Sequence, residues 1–482
     1  MINKFLSSRR KFLKTAGTSL AVPGLSSFPS SAQVIPNPII VENAKPGTIN
    51  WGISNEATNR EIEGYASLTS VNRGGVIYLY VNSADPFFTV EIFRLGWYAG
   101  LGGRSVMVPR TFPGTKQVIP SPVQSNGFVE CNWVKRITVT TGSTWVSGMY
   151  LAKLTTSASK KESWIRFVVR DDAYPSKLLF QSSVTNDQAY NNWGGKSLYS
   201  FNSTLGVPAL KVSFNRPYSD DGGYGGVGQL FAWEVNTLRF LEREGYDVTY
   251  CTNIDTHTNP TMLFKRRAFL SVGHDEYWSY EMRVNVEAAR NQGVHLAFLC
   301  ANSCYWQIRL EPSPVTRAVN RTMVGYKERY KEDPLYGVTN AKVTGLWRGD
   351  PVGWPEEELL GVQYESYPVN TDMVVDNAAH FIFAGTGLKN GDKLPGLLGY
   401  ETDRIFGVGP QNIVRLCHSP VNNGTGGYSD MAIYQAASGS YVFAAGSMQF
   451  TWGLDDGGNS SHTPFVNPKA QQMMRNLFAR FI

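Results

Sequence analysis

The period of the apolar pattern changes once along this chain, at Asp171-Asp172-Ala173-Tyr174-Pro175, and that change limits the folds open to it. Before it, short apolar runs such as Val76 to Val81, Phe88 to Leu95, Trp133 to Val139, Gly148 to Thr155 and Ser163 to Arg170 are separated by Gly, Pro, Asn and Ser turns. Short strands at that spacing predict an antiparallel β-sandwich over 48–172. After it, strand and helix patterns alternate. Strands are expected at Lys177 to Val184, Val248 to Thr252, Ala268 to Val272, His295 to Ala301 and Tyr441 to Gly446. Helices are expected at Gly228 to Glu244, Tyr280 to Gln292 and Pro468 to Phe481, with Ser279 as an N-cap. Such alternation requires a parallel sheet covered by helices, spanning 173–482. The stretch from Ser313 to Val408 is irregular, rich in Gly and Pro, and reads as long loops over the sheet edge.

The N-terminus carries an address. Ser8-Arg9-Arg10-Lys11-Phe12-Leu13-Lys14 precedes a mildly apolar stretch and small residues ending at Ala32, the pattern of a twin-arginine export signal over 1–32. The expected location is periplasmic or secreted, with an extended linker over 33–47 and no permanent membrane span. Proteins exported folded often carry a cofactor, so the signal also argues modestly for a metal. Five cations (Lys4, Arg9, Arg10, Lys11, Lys14) and no acid precede residue 33. Of the formal charge of +6, six less five leaves about +1 for the rest, and nucleic-acid binding is not indicated. Cys131, Cys251, Cys300, Cys304 and Cys417 are odd in number and widely spaced, which fits neither a disulfide framework nor a zinc site.

The chemistry concentrates where the strand Ala268 to Val272 ends. Gly273 is followed by His274, Asp275, Glu276, Tyr277 and Trp278. In open α/β sheets the carboxyl ends of strands hold ligands, and four such side chains destabilise a corner unless something binds there. A hydrogen-bonded corner without chemistry is the alternative reading. Two other strand ends are rich in amides and aromatics: Asn186 to Tyr199, and Ala301-Asn302-Ser303-Cys304-Tyr305-Trp306. Trp193, Trp278 and Trp306 read as pocket walls or core.

The runs QAYNNWGGKSLY, LEREGYDVTYCTNIDTH, SVGHDEYWS, FLCANSCYWQIR and WPEEELLG resemble the large (β) subunit of N,N-dimethylformamidase and its exported relatives. The likeness covers most of 175–482 and reaches more weakly into the β-domain through Phe93-Arg94-Leu95-Gly96-Trp97-Tyr98. It implies a glutamine-amidotransferase-like, flavodoxin-like three-layer α/β domain. It also implies a mononuclear Fe(III) held by two tyrosinates and one glutamate, and hydrolysis of a formamide or other small amide to an acid and an amine. The resemblance places one tyrosinate at Tyr277 and the glutamate at Glu356, with Glu357 and Glu358 as neighbouring alternatives. The second tyrosinate falls to Tyr246 or Tyr190. Glu276 or Asp275 would move the proton, His274 would orient the site, and Asn302 or Asn192 would bind the developing oxyanion. A small partner subunit and a homo-oligomer are both compatible with the likeness. Two rival readings stand beside it: a thiol amidase using Cys304, and a non-catalytic exported protein binding carbohydrate or envelope.

Overall fold

Alternate residues of the first strands are apolar, and those residues become one core. The computed structural model describes residues 36–219, 225–457 and 465–482; the twin-arginine segment lies outside them. Strands Ile62–Ala66, Val76–Ser83 and Lys135–Thr140 form one sheet. The other runs in the order Ser70–Asn72, Glu162–Arg170, Gly148–Thr156, Phe87–Leu95 and Gly103–Pro113. Ile77, Leu79, Val90, Ile92, Leu154 and Phe167 fill the space between them. All pairings are antiparallel except Ser70–Asn72 with Glu162–Arg170. The expected sandwich is present. The outer face of its larger sheet is also covered, because Phe93, Leu151 and Val168 pack into the core of the α/β region.

That region is built on a seven-stranded sheet. Its parallel strands run in the order Val248–Thr252, Leu178–Ser182, Ala268–Val272, His295–Phe298 and Tyr441–Ala444. Tyr428–Gln435 and Val414–Pro420 then add antiparallel strands at one edge. Side chains along a strand alternate between faces, and both faces are apolar here. Phe180, Leu270 and Phe443 meet helices Val235–Arg243 and Pro468–Phe481 on one side. Phe269, Leu296 and Val442 meet helix Tyr280–Asn291 on the other, giving three layers. Ser279 caps that last helix, its hydroxyl accepting the Met282 N–H at 3.1 Å. A small second sheet, ordered Lys211–Ser213, Thr322–Val324, Trp306–Glu311 and Tyr277–Ser279, lies at the carboxyl ends of the parallel strands.

Three expectations fail. The linker is not wholly extended: Pro38–Asn43 is a short helix, capped by Asn37, whose Glu42 is fully buried beneath Lys45 and Arg104. The strand expected to reach Val184 ends at Ser182, and the chain turns into helix Val184–Tyr190. The irregular stretch contains a long two-stranded ribbon, Gln363–Val374 against Lys393–Arg404, whose register shifts three times. Pro368 and a run of polar residues hid that ribbon, because a strand pair covered mainly on one side lacks a continuous apolar run. Residues 37–482 form a single compact unit.

Candidate active site

Gly273 ends its strand at φ +82°, a conformation in which a side chain is strained. A Cβ there would also lie 2.8 Å from Glu234 Cγ, so the strand can turn this sharply only with glycine. The turn sends the next four side chains in different directions. Asp275 points back into the sheet, accepting hydrogen bonds from Ser271 Oγ at 2.6 Å, Gln181 Nε2 at 2.7 Å and Asn253 Nδ2 at 2.8 Å. It thereby ties three neighbouring strand ends together, and it does not line the cavity. Burial pushes its carboxyl up to about 6. The expectation of a catalytic Asp275 is corrected to an anchor of the corner.

Glu276 faces the other way, toward a cavity of about 590 Å³ whose wall includes Tyr190, Tyr199, Glu276, Asn302, Trp306 and Glu401, and His274 lies against Glu276 and Glu401 behind that wall. Two phenols converge on one carboxylate. Tyr190 Oη lies 3.1 Å and Tyr199 Oη 2.9 Å from Glu276 Oε2. Burial, followed by the Glu276 charge, pushes both phenols well above their ordinary value. Burial raises Glu276 as well. Tyr277 stands behind this group, fully buried, with its hydroxyl 2.6 Å from that of Tyr199. It touches a cavity-lining phenol without lining the cavity itself.

A charged pair completes the floor. His274 Nε2 lies 3.1 Å from Glu401 Oε2 and 3.7 Å from Glu276 Oε2. The contact with Glu401 is an ion pair without hydrogen-bond alignment, so this nitrogen has no well-directed partner. Burial works to lower His274, but the carboxylates of Glu401, Glu276 and Asp275 outweigh it and carry it up to about 9. Burial likewise works to raise Glu401. The His274 charge, with the hydrogen bond from Asn302, holds it below the usual carboxylate value. Asn302 reaches this position through a left-handed backbone (φ +53°) that asparagine tolerates better than most residues. Its N–H donates to Asp403 Oδ1 at 2.7 Å and its Nδ2 to Glu401 Oε2 at 2.7 Å, while its Oδ1 has no partner.

Not every residue singled out from sequence comes to the cavity. Tyr246 packs against Phe240 and Phe478, just before strand Val248–Thr252 begins. A five-residue strand spans about 17 Å, so Tyr246 sits at the amino ends of the parallel strands, away from the cavity, and is corrected as a site residue. Tyr190, its alternative, is in the cavity wall. Glu356 is fully buried outside the wall, 3.7 Å from Arg348, and neither carboxylate oxygen has a hydrogen-bond partner. Burial pushes it up to about 7. Glu357 turns away to accept the N–H groups of Phe406 and Gly407. Asn192 gives its amide to Asn202 O at 3.2 Å. Cys304 is buried in an apolar cluster, and burial pushes its thiol well above the ordinary value, which leaves a thiol nucleophile without support.

Tyr199, Glu401 and Lys327 are among the cavity residues that the sequence does not mark. Tyr199 ends a run that was noticed, but nothing local marks it over Tyr190 or Tyr277. Glu401 comes from the unrecognised ribbon. Lys327 combines burial, a left-handed backbone (φ +55°) and an ammonium 3.4 Å from the Tyr199 ring centroid. Its ammonium makes a single long hydrogen bond, to Leu198 O at 3.4 Å.

The family described as N,N-dimethylformamidase beta subunit-like, C-terminal, matches residues 89–463. The chain belongs to this family. The match begins inside strand Phe87–Leu95 and runs on through the α/β region, so it takes in most of the sandwich as well. A dimethylformamidase-like hydrolase is the general function the family suggests, and its description as a β subunit implies association with another subunit. No curated protein matches the chain. No helix among the described residues is long and apolar enough to cross a membrane.

Proposed function

We propose that this chain is an exported iron-dependent amidohydrolase that cleaves the C–N bond of an amide, with Tyr190, Tyr199 and Glu276 as the metal-holding residues. The observation that carries the reading is the convergence of two phenols on one buried carboxylate at a cavity floor. Two phenols beside a buried carboxylate make a set of three oxygen donors at one point of the cavity wall. Three hard oxygen donors suit Fe(III) far better than zinc. Bound there, the ion would supply Lewis acidity to the reaction. Tyr277, first placed among the ligands, becomes the partner that orients Tyr199 from behind. Glu356 and Tyr246 drop out of the ligand set.

The remaining steps belong to the side chains. Glu401, kept ionised by His274, accepts a proton at Oε2 from water as the water oxygen bonds to the amide carbon. The same proton passes to the amide nitrogen as the C–N bond breaks, giving an acid and an amine. The His274 imidazolium and Asn302 hold Glu401 in place. Metal analysis and a visible spectrum test the reading. Wild-type protein carries about one iron and a tyrosinate absorption band. Tyr199→Phe loses most of the band and Glu276→Gln loses the iron, whereas Tyr277→Phe keeps the iron with a shifted band. Iron retained with an unchanged spectrum in both Tyr199→Phe and Glu276→Gln would sink the assignment.

A further inference from the structure

The cavity is much larger than the amide after which the family is named. Dimethylformamide has five heavy atoms, and at about 30 Å³ per heavy atom, the share of a water in liquid, it would occupy roughly 150 Å³. The cavity offers about 590 Å³, and Trp306, Lys327 and Glu328 also border a further recess of about 410 Å³. Its walls are organised as well as large. On one bank, Tyr199 lies between Tyr190 (ring centroids 4.3 Å apart, stacked) and Phe201 (5.4 Å, tilted), and Phe201 is 74 % exposed at the mouth. On the other, Tyr367 and Tyr400 meet edge to face at 4.7 Å, their hydroxyls 2.8 Å apart, with Tyr364 and Tyr305 also in edge-to-face contact (5.2 Å). All of these rings line the one cavity, whose floor is Glu276, Asn302 and Glu401.

A cavity lined by two such groups of rings matches a planar ring, because offset and edge-to-face contacts are the favoured geometries of aromatic pairs. Exposing rings such as Phe201 to water is unfavourable unless a ligand covers them. We infer that the substrate of this site is an amide bearing an aromatic ring, with the amide at the Glu276–Glu401 floor and the ring between the Phe201 and Tyr367 banks. This inference rests on the amide-hydrolysis reading for its chemistry, but not for the binding of the ring. A saccharide stacked on the same walls is the competing occupant.

The test uses formanilide, dimethylformamide and N-acetylglucosamine as probes on the full, iron-loaded protein, by calorimetric binding and by amine release. Formanilide is expected to bind at least about tenfold more tightly than either other probe, as one or two aromatic contacts would give. In Phe201→Ala and Tyr367→Ala, both changes at exposed positions, the ratio of kcat/KM for formanilide to that for dimethylformamide falls about tenfold. Equal affinity for formanilide and dimethylformamide, a ratio unmoved in both variants, or tighter binding of N-acetylglucosamine overturns the inference. Tight formanilide binding weakened in the variants, without amine release from any amide, upholds the aromatic slot and overturns the hydrolase reading instead.

Discussion

Arg94 and His274 are both buried cations beside a carboxylate, yet one sits in a closed network and the other in an open one. Arg94 grips Glu242 with two hydrogen bonds of 2.8 and 2.6 Å and also donates to Ser147 O and Leu95 O. Glu242 in turn accepts from Tyr250 Oη and Asn43 Nδ2, each at 2.8 Å. Among the described residues, Nε alone of the Arg94 nitrogens lacks a partner. This network joins the sandwich strand Phe87–Leu95 to helix Val235–Arg243 and to the N-terminal helix. It accounts for the Phe93–Tyr98 part of the family likeness as architecture. Around His274 the same ingredients (cation, carboxylates, tyrosines, an amide) leave His274 Nε2 and Asn302 Oδ1 without aligned partners among the described residues, and Asn302, Glu276 and Glu401 border a cavity. Buried polar groups tend to be paired, so a network that stops short of pairing beside a cavity marks the place where something else completes it.

The contrast predicts that the two networks fail differently. Glu242→Ala leaves Arg94 charged and unpaired in the interior and should lower unfolding free energy by about 3–5 kcal/mol. Activity per folded molecule should stay within twofold; denaturant melts with active-site titration check both, and a loss below about 1 kcal/mol would break the contrast. At the open site the signs reverse. Asn302→Gly suits the left-handed backbone and removes only the side chain. Stability should hold within about 1 kcal/mol, while kcat falls about 10²- to 10³-fold, the effect of losing a group that positions or stabilises charge.

The smallest effect concerns His295, at the opposite end of the sheet, a histidine in a closed setting. Its Nδ1 accepts the Tyr441 N–H at 2.8 Å and its ring stacks on Phe481. Burial, helped by Arg267 and Arg480, lowers it to about 4. Since the folded form resists protonation, this contribution is fully present above the unfolded value of 6.5 and is lost as pH falls from there to about 4. Discounted for its partial exposure, it amounts to about 1–2 kcal/mol. Urea unfolding at pH 7 and pH 4.5 should show His295→Gln with a shallower acid slope than wild type; parallel slopes would remove His295 from the account.

The sheet was legible from residues because its signal is local. Ala268 to Val272 is a continuous apolar run closed by glycine, and Ser279 carries a helix-capping side chain three residues before Met282. The location of the chemistry followed from the same logic at Gly273. The partition of roles did not, because it depends on which way each side chain leaves a turn. Asp275 and Glu276 are adjacent and chemically alike, yet one faces Gln181 and Asn253 while the other faces Tyr190 and Tyr199. Tyr246 and Tyr190 could not be ranked without knowing which end of the strands each would reach. Glu401 lay 125 positions beyond Glu276 in sequence, on strands whose polarity and proline concealed them.

Glu401 is delivered at a fault in its ribbon. Tyr400 pairs with Val369 and Thr402 with Ser366, so the strand opposite Glu401 carries the extra residues of a bulge. Bulges re-aim side chains, and shifting a strand by one residue turns each of them to the other face. The same ribbon supplies Tyr364, Tyr367 and Tyr400 to the cavity mouth, whereas Glu276, Tyr190 and Tyr199 arise from segments near the sheet. The proposed metal-holding residues therefore lie on pieces of chain separate from the Tyr364, Tyr367 and Tyr400 wall. An insertion or deletion in the ribbon can remodel that wall while Glu276, Tyr190 and Tyr199 stay put, provided the bulge opposite Glu401 is kept. That division of labour gives the fold a route to new substrates in which a single backbone irregularity is the part that cannot drift.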